Sequence, residues 1–82
     1  MNLDLQILKS LSQIPDHLMM PVATLWAEVR MFSMPQPDRP TFDAALRRLE
    51  DDLKQIIRIT NTDADKAKIT ASGKARLAEA LG

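Results

Sequence analysis

Basic side chains are concentrated on one predicted helix and on the hairpin that follows it. Arg47 and Arg48 are adjacent in an amphipathic stretch, which Arg39 precedes. A guanidinium can grip guanine through two parallel hydrogen bonds, and amines neutralise phosphates. These residue types therefore favour contacts with a double-stranded polyanion. The candidate contact residues are Arg39, Thr41, Ala44, Arg47, Arg48, Lys66 and Lys68.

The apolar stripe of this helix decides which of its residues face outward. At about 100° per residue, a narrow apolar arc is formed by Phe42, Ala45, Leu46, Leu49 and Leu53. Ala44 and Arg47 lie directly opposite that arc, and Thr41 and Arg48 flank it. The arc must pack against the rest of the domain, so we expect these four residues to be available to a partner.

The remaining pattern predicts one domain of four helices and a small hairpin. The helices are expected at about 3–14, 21–33, 41–53 and 71–81, and the hairpin at about 55–70. The β-branched run Ile56–Thr60 is typical of a strand. The predicted fold class is mainly α with a small β-hairpin, that is, α+β.

Two segments resemble one known family. The run AALRRLEDDLKQIIRIT resembles the part of bacterial winged regulators where the third helix ends in Leu-Glu and an Ile-rich strand begins. The run DADKAKITASGKARLAEAL resembles the return strand and Thr-x-x-Gly helix start of the same regulators, including the multiple-antibiotic-resistance and PadR types. The resemblance implies a winged helix-turn-helix domain and a transcriptional regulator whose third helix enters the major groove. It also implies a further short strand, expected at His17–Met19.

One departure from the family concerns the end of the third helix. The family commonly places a glycine there, where this chain has Asp51-Asp52-Leu53-Lys54. The sequence therefore predicts a helix end that is longer or differently shaped. The leading hypothesis is a small DNA-binding regulator that forms a homodimer through its first or last helix. A separate effector domain does not fit in 82 residues.

Acidic residues support a second hypothesis. The chain has 11 basic and 11 acidic residues, and this balance argues against a strong non-specific polyanion binder. Asp43 and Asp51 stand four residues either side of Arg47, and Asp52 stands four after Arg48. Such spacing predicts local ion pairs worth about 0.2–0.5 kcal/mol each. The hairpin tip is acidic as well, which favours an interaction module that binds protein and not DNA.

Catalytic and metal chemistry find little support in the sequence. There is no cysteine, and His17 is the only histidine, so a multi-histidine or Cys/His metal cluster is excluded. The Asn61-x-Asp63-x-Asp65 spacing resembles a calcium loop, but lysine and serine occupy the positions that need glycine and glutamate. A plain hairpin turn is favoured there, and we expect neither an enzyme nor a cofactor.

The location of the protein follows from hydropathy. No apolar run approaches the roughly 18 residues that a membrane helix needs. The start, MNLDLQILKS, is acidic and amphipathic, unlike a secretory signal. A cytoplasmic protein is therefore expected.

Overall fold

A computed structural model of the chain describes residues 2–60 and 64–81. These residues form four α-helices and a three-stranded antiparallel sheet, so the mixed α+β class is confirmed. The turn predicted at Asn61-Thr62-Asp63 lies outside the described residues. In chain order the elements are α1 (Leu3–Ser12), β1 (Met20–Pro21), α2 (Val22–Phe32), α3 (Arg39–Arg47), a π-helical turn (Arg48–Asp52), β2 (Ile56–Thr60), β3 (Asp65–Ile69) and α4 (Ala71–Leu81).

The sheet has the strand order β1-β3-β2. β1 pairs with β3 at Met20↔Ala67, and β2 pairs with β3 along its whole length. The short strand expected at His17–Met19 was placed too early. Leu18 N–H donates to the Pro15 carbonyl at 3.0 Å, so these residues form a turn, and Met20 is the residue that reaches β3.

The core is centred on α1, which packs against α2, α3, α4 and β3. Burial of apolar surface of this kind supplies roughly 25 cal/mol per Å² and dominates the stability of a small domain. The buried apolar residues are Ile7, Leu8, Leu11, Met20, Val22, Leu25, Val29, Phe42, Ala45, Leu46, Leu49, Ile56, Ala67, Ile69 and Leu77.

Side-chain caps fix the starts of two helices. Asn2 Oδ1 accepts a hydrogen bond from Leu5 N–H at 2.8 Å, which satisfies a free amide of the first turn of α1. Asp38 Oδ1 accepts from Thr41 N–H at 2.9 Å in the same way. The Asp38 cap makes α3 begin at Arg39, slightly earlier than the sequence predicts.

The end of the third helix is differently shaped, as the missing glycine predicts. The π turn replaces a regular last α-helical turn, and Lys54 has a φ of 55°, in the left-handed region that favours glycine. Because a π turn holds more residues than an α turn, it rotates the residues that follow it. Leu53, expected on the apolar arc, is therefore 39% exposed.

The last residues of α2 and α4 are exposed. Phe32 is 65% exposed and Leu81 is 58% exposed. Each is the last residue of its helix. Trp26 is half-buried, and its ring centroid lies 4.9 Å from that of the buried Phe42.

A close contact joins the start of α4 to the chain before β2. A Cβ added to Gly73 would lie 2.3 Å from the Gln55 carbonyl oxygen and 2.7 Å from Ile69 Cγ1, so only glycine fits. Thr70 N–H donates to the same Gln55 oxygen at 3.0 Å. The Thr70 hydroxyl accepts from Gly73 N–H at 3.2 Å and donates to the Lys54 carbonyl at 2.9 Å. Thr70 therefore caps α4 and ties it to this loop.

Candidate nucleic-acid interface

The outward face of α3 carries three exposed candidate residues. Thr41, Ala44 and Arg47 are exposed, while Phe42 and Leu46 on the opposite face are fully buried. The helical spacing therefore separates the exposed from the buried residues of this segment as the sequence predicts. We call Thr41, Ala44 and Arg47 together with Arg39 and Arg48 the helix surface.

Arg39 is held by a neighbour on its own helix. Its Nε donates to Asp43 Oδ1 at 2.9 Å, and both side chains are about half exposed. The Arg39 guanidinium also lies 5.7 Å from the Trp26 ring centroid and 5.8 Å from that of Phe42, within cation–π range. Arg39 is thus positioned at the start of α3 with its charge compensated.

Arg48 is paired with a carboxylate that the sequence did not indicate. The expected partner, Asp52, is not bonded to it; Arg48 Nη2 instead bonds Asp4 Oδ1 of α1. The four-residue spacing brings side chains together on an α-helix, but residues 48–52 form a π turn, where the favoured spacing is longer. The Asp4 side chain is only 11% exposed.

Arg47 has no ion-pair partner in the described parts of the chain, although pairs with Asp43 and Asp51 were expected. Asp43 is occupied by Arg39, which lies four residues before it. Asp51 belongs to the π turn, where the α-helical spacing no longer holds. Arg47 is therefore the arginine of the helix surface that no described carboxylate neutralises.

The candidate lysines lie on the outward face of the hairpin. In the antiparallel register, Lys66 is opposite Ile59 and Lys68 is opposite Ile57, and these four residues share one face. Lys68 Nζ donates to the Asp16 backbone carbonyl at 3.0 Å. Lys66 is exposed and has no ion pair among residues 2–60 and 64–81. We call Lys66, Lys68, Ile57 and Ile59 the hairpin surface.

The acidic charge expected at the hairpin tip is partly compensated. Asp65 accepts from Arg58 Nε at 3.1 Å and from Arg58 Nη2 at 3.2 Å, on the face of the hairpin opposite to the candidate lysines. The hydrogen bond from Arg58 to Asp65 raises the pKa of the Arg58 guanidinium above its ordinary value. Asp65 therefore does not add a free charge to the hairpin surface. Asp63 lies outside the described residues.

A second ion pair flanks the hairpin surface. The Lys74 amine of α4 bonds the Asp16 carboxylate, and this hydrogen bond lowers the pKa of Asp16 below its ordinary value. The Asp16 side chain is 77% exposed. The pair holds the loop before β1 against α4, next to Lys68.

Sequence reasoning missed Asp4 and Arg76. Arg76 Nη1 lies 3.3 Å from Asp4 Oδ2 and donates to Gln55 Oε1 at 2.9 Å. These contacts join residues 72 and 21 positions apart in the chain. No local spacing could have indicated them. The one available signal in the sequence was the acidic Asp4 among the apolar residues Leu3, Ile7 and Leu8 of the first helix.

Other site types find no support among the described residues. They contain no group of three or more His, Cys, Asp or Glu side chains placed to hold a metal ion. No helix within residues 2–60 and 64–81 combines the length and the apolar character needed to cross a bilayer. Comparisons with models of protein families, with curated proteins and with solved structures find no match.

Proposed function

We propose that this chain is a winged helix-turn-helix protein that binds double-stranded DNA, with α3 in the major groove, as small transcriptional regulators do. The order helix, strand, helix, helix, strand, strand, helix supports this assignment, as does the sheet order β1-β3-β2. In such a domain the hairpin of β2 and β3 is the wing, and it lies beside the helix that reads the groove.

The state of Arg47 is the observation that carries the proposal. This arginine is exposed on the outward face of α3, beside Thr41 and Ala44, and no described carboxylate neutralises it. A free guanidinium on the outward face of such a helix can reach a guanine edge without first losing a partner. Lys66 gives the wing a second free cation for a phosphate.

The test is a shift assay with duplex DNA at a low and a moderate salt concentration. We expect binding that weakens as salt rises, because each phosphate contact releases counterions. At a selected specific site, Arg47→Ala should cost about 1–3 kcal/mol if the residue reads a base. Lys9→Ala on α1 removes an exposed cation away from the helix surface and is the matched control. Absence of binding at low salt would contradict the proposal.

A protein-binding module remains the second candidate, and one feature favours it. Met31, Phe32 and Met34 at the end of α2 are 70%, 65% and 91% exposed. Three exposed apolar side chains within one short segment favour a protein contact there. This candidate requires that the chain does not bind the duplex at low salt. Met34→Ser should weaken any protein contact made at this segment.

We further propose that a homodimer would form through α4 and not through α1. Ile7, Leu8 and Leu11 of α1 are fully buried within the monomer, so α1 offers little apolar surface to a second copy. Leu81 of α4 is 58% exposed. Light scattering at several concentrations should show dissociation on Leu81→Glu, with Met31→Glu as the control. A dimer that survives Leu81→Glu would exclude this interface.

A further inference from the structure

The carboxylate of Asp4 is shared by two arginines from different elements. Arg48 of the π turn bonds Oδ1, and Arg76 of α4 lies 3.3 Å from Oδ2. Asp4 is 8% exposed and sits in the first turn of α1. The cluster therefore places two positive charges around one negative charge, at the meeting point of three elements.

The two arginines are held unequally. Arg76 has a second acceptor, Gln55 Oε1, at 2.9 Å, and its side chain is 30% exposed. The Arg48 side chain bonds Asp4 alone among the described residues, and it is 48% exposed. Arg48 is thus the member of the cluster that can exchange its partner without disturbing the other contacts.

Arg48 also borders the helix surface. A surface depression of about 560 Å³ lies between the start of α1 and α3, and Asp4, Thr41, Ala44 and Arg48 contribute to its wall. A phosphate that approached Thr41 and Ala44 would enter this depression. A guanidinium binds a carboxylate and a phosphate through the same donors, so the two anions would compete for Arg48.

We propose that Asp4 competes with the DNA backbone for Arg48, and that it lowers the affinity for non-specific duplex by withholding this arginine. The inference rests on the proposed DNA binding and adds that a residue of the same site, Asp4, regulates the affinity. Arg47 remains unpaired, so base reading would be retained while one backbone contact is suppressed. The affinity for DNA would then depend more on base contacts than the number of basic residues suggests.

The test uses Asp4→Asn and a non-specific duplex of about 20 base pairs, titrated at about 50 and 200 mM salt. Asparagine keeps an oxygen for Arg76 while it removes the charge that holds Arg48. We expect binding about tenfold tighter at the lower salt, the scale of one charged hydrogen bond. The slope of log K against log salt should steepen by about 0.9, because one more phosphate is neutralised.

Two further substitutions separate this effect from a change of net charge. Asp52→Asn removes the same charge from an exposed side chain with no described ion-pair partner, and it should change the affinity by less than about twofold. Arg48→Gln should change the affinity of the natural chain by less than about twofold, yet it should cancel the gain in the Asp4→Asn background. Equal gains from Asp4→Asn and Asp52→Asn would overturn the proposal.

The outcomes distinguish this inference from the proposed function. If the natural chain binds duplex and Asp4→Asn does not bind more tightly, only the competition is wrong. If neither binds at low salt, both proposals fall. Circular dichroism shows whether Asp4→Asn is folded; if it is not, Arg48→Gln and Arg47→Gln are compared in the natural chain. An equal loss from these two variants would overturn the competition, and a loss from Arg47→Gln alone would support it.

Discussion

The helix surface and the hairpin surface both carry basic residues, but their charges are compensated differently. On the helix surface, Arg39 and Arg48 have carboxylate partners and Arg47 has none in the described chain. On the hairpin surface, Lys68 bonds the Asp16 backbone carbonyl and its charge acts on the nearby Asp16 carboxylate, whereas Lys66 is unpaired among the described residues. The helix surface, with more basic candidates, thus keeps no more uncompensated cations than the hairpin surface does.

The difference shows that a count of arginines does not give the charge available to a partner. The exposed pair between Arg39 and Asp43 is worth roughly 0.2–1 kcal/mol and is easily replaced by a phosphate contact. The pair between Arg48 and Asp4 involves a carboxylate that is 11% exposed, so its loss leaves a buried charge with one partner fewer. The two arginines therefore differ in how readily they can be recruited.

The largest expected loss of stability comes from Phe42, which anchors the helix surface to the core. Phe42 is fully buried and packs its ring against Trp26. Phe42→Ala should lower the free energy of unfolding by about 3–5 kcal/mol, because it removes buried apolar area and leaves a cavity. Urea unfolding followed by circular dichroism measures the change. Thr41→Ala on the exposed face of the same helix should shift the unfolding free energy far less, and equal losses would refute the anchor role.

A smaller effect is expected where the hairpin joins α4. Gly73→Ala places a methyl group 2.3 Å from the Gln55 carbonyl oxygen, so the start of α4 must move. We expect the unfolding free energy to fall by about 1–3 kcal/mol, the usual cost of overpacking. Ser72→Ala, at the exposed neighbouring position, is the control for thermal and urea unfolding. An unchanged midpoint for Gly73→Ala would mean that the Gln55 carbonyl oxygen lies farther from Gly73 in solution.

Glycine at position 54, between the helix surface and the hairpin surface, should instead raise the free energy of unfolding. Lys54 has a φ of 55°, and a left-handed conformation costs an L-residue about 1–2 kcal/mol. Glycine removes that cost but gains freedom in the unfolded chain worth about 0.4–1 kcal/mol. Lys54→Gly should therefore stabilise the protein by up to about 1 kcal/mol. Lys54→Ala keeps the Cβ and should not; stabilisation by both variants would point to the lysine charge instead.

The smallest effect is expected at the ion pair beside the hairpin surface. The hydrogen bond from Lys74 lowers the pKa of Asp16, so the folded state holds this proton less tightly than the unfolded state. The contribution of Asp16 to stability is present above its unfolded pKa and is lost as the pH falls through the lowered folded pKa. Asp16→Asn should slightly reduce the stability at neutral pH and flatten its acid dependence.

The test is to measure the unfolding midpoints of the natural chain and of Asp16→Asn at several pH values below 5. Asp52→Asn removes another exposed carboxylate, one without a described ion-pair partner, and should leave the acid dependence close to that of the natural chain. Identical acid dependence for Asp16→Asn and the natural chain would show that the contact with Lys74 is not formed in solution.

Periodicity in the sequence was sufficient to predict the four helices and the two hairpin strands, but not the position of β1. The apolar arc of the third helix correctly separated the buried Phe42 and Leu46 from the exposed Ala44 and Arg47. The β-branched run was confirmed as a strand at Ile56–Thr60. These features depend on neighbours within a few residues, where side-chain spacing directly reports geometry.

The charged contacts were harder to predict because they depend on tertiary packing. Arg48 was assigned to Asp52 by α-helical spacing, but the π turn changed that spacing and packing brought Asp4 within reach. The contact between Arg48 and Asp4 spans 44 residues. Only the absent glycine near Lys54 hinted that the helix end was irregular. The irregular end also explains why the position of Leu53 was wrong.

The central position of α1 has a consequence for how the domain folds during synthesis. This helix is made before α4, yet it packs against α4, and Asp4 contacts Arg76 across 72 residues. Until α4 has left the ribosome, the apolar side of α1 lacks one of its covering elements. Folding of a domain this small is usually all-or-none. The nascent domain should therefore stay unfolded until α4 emerges.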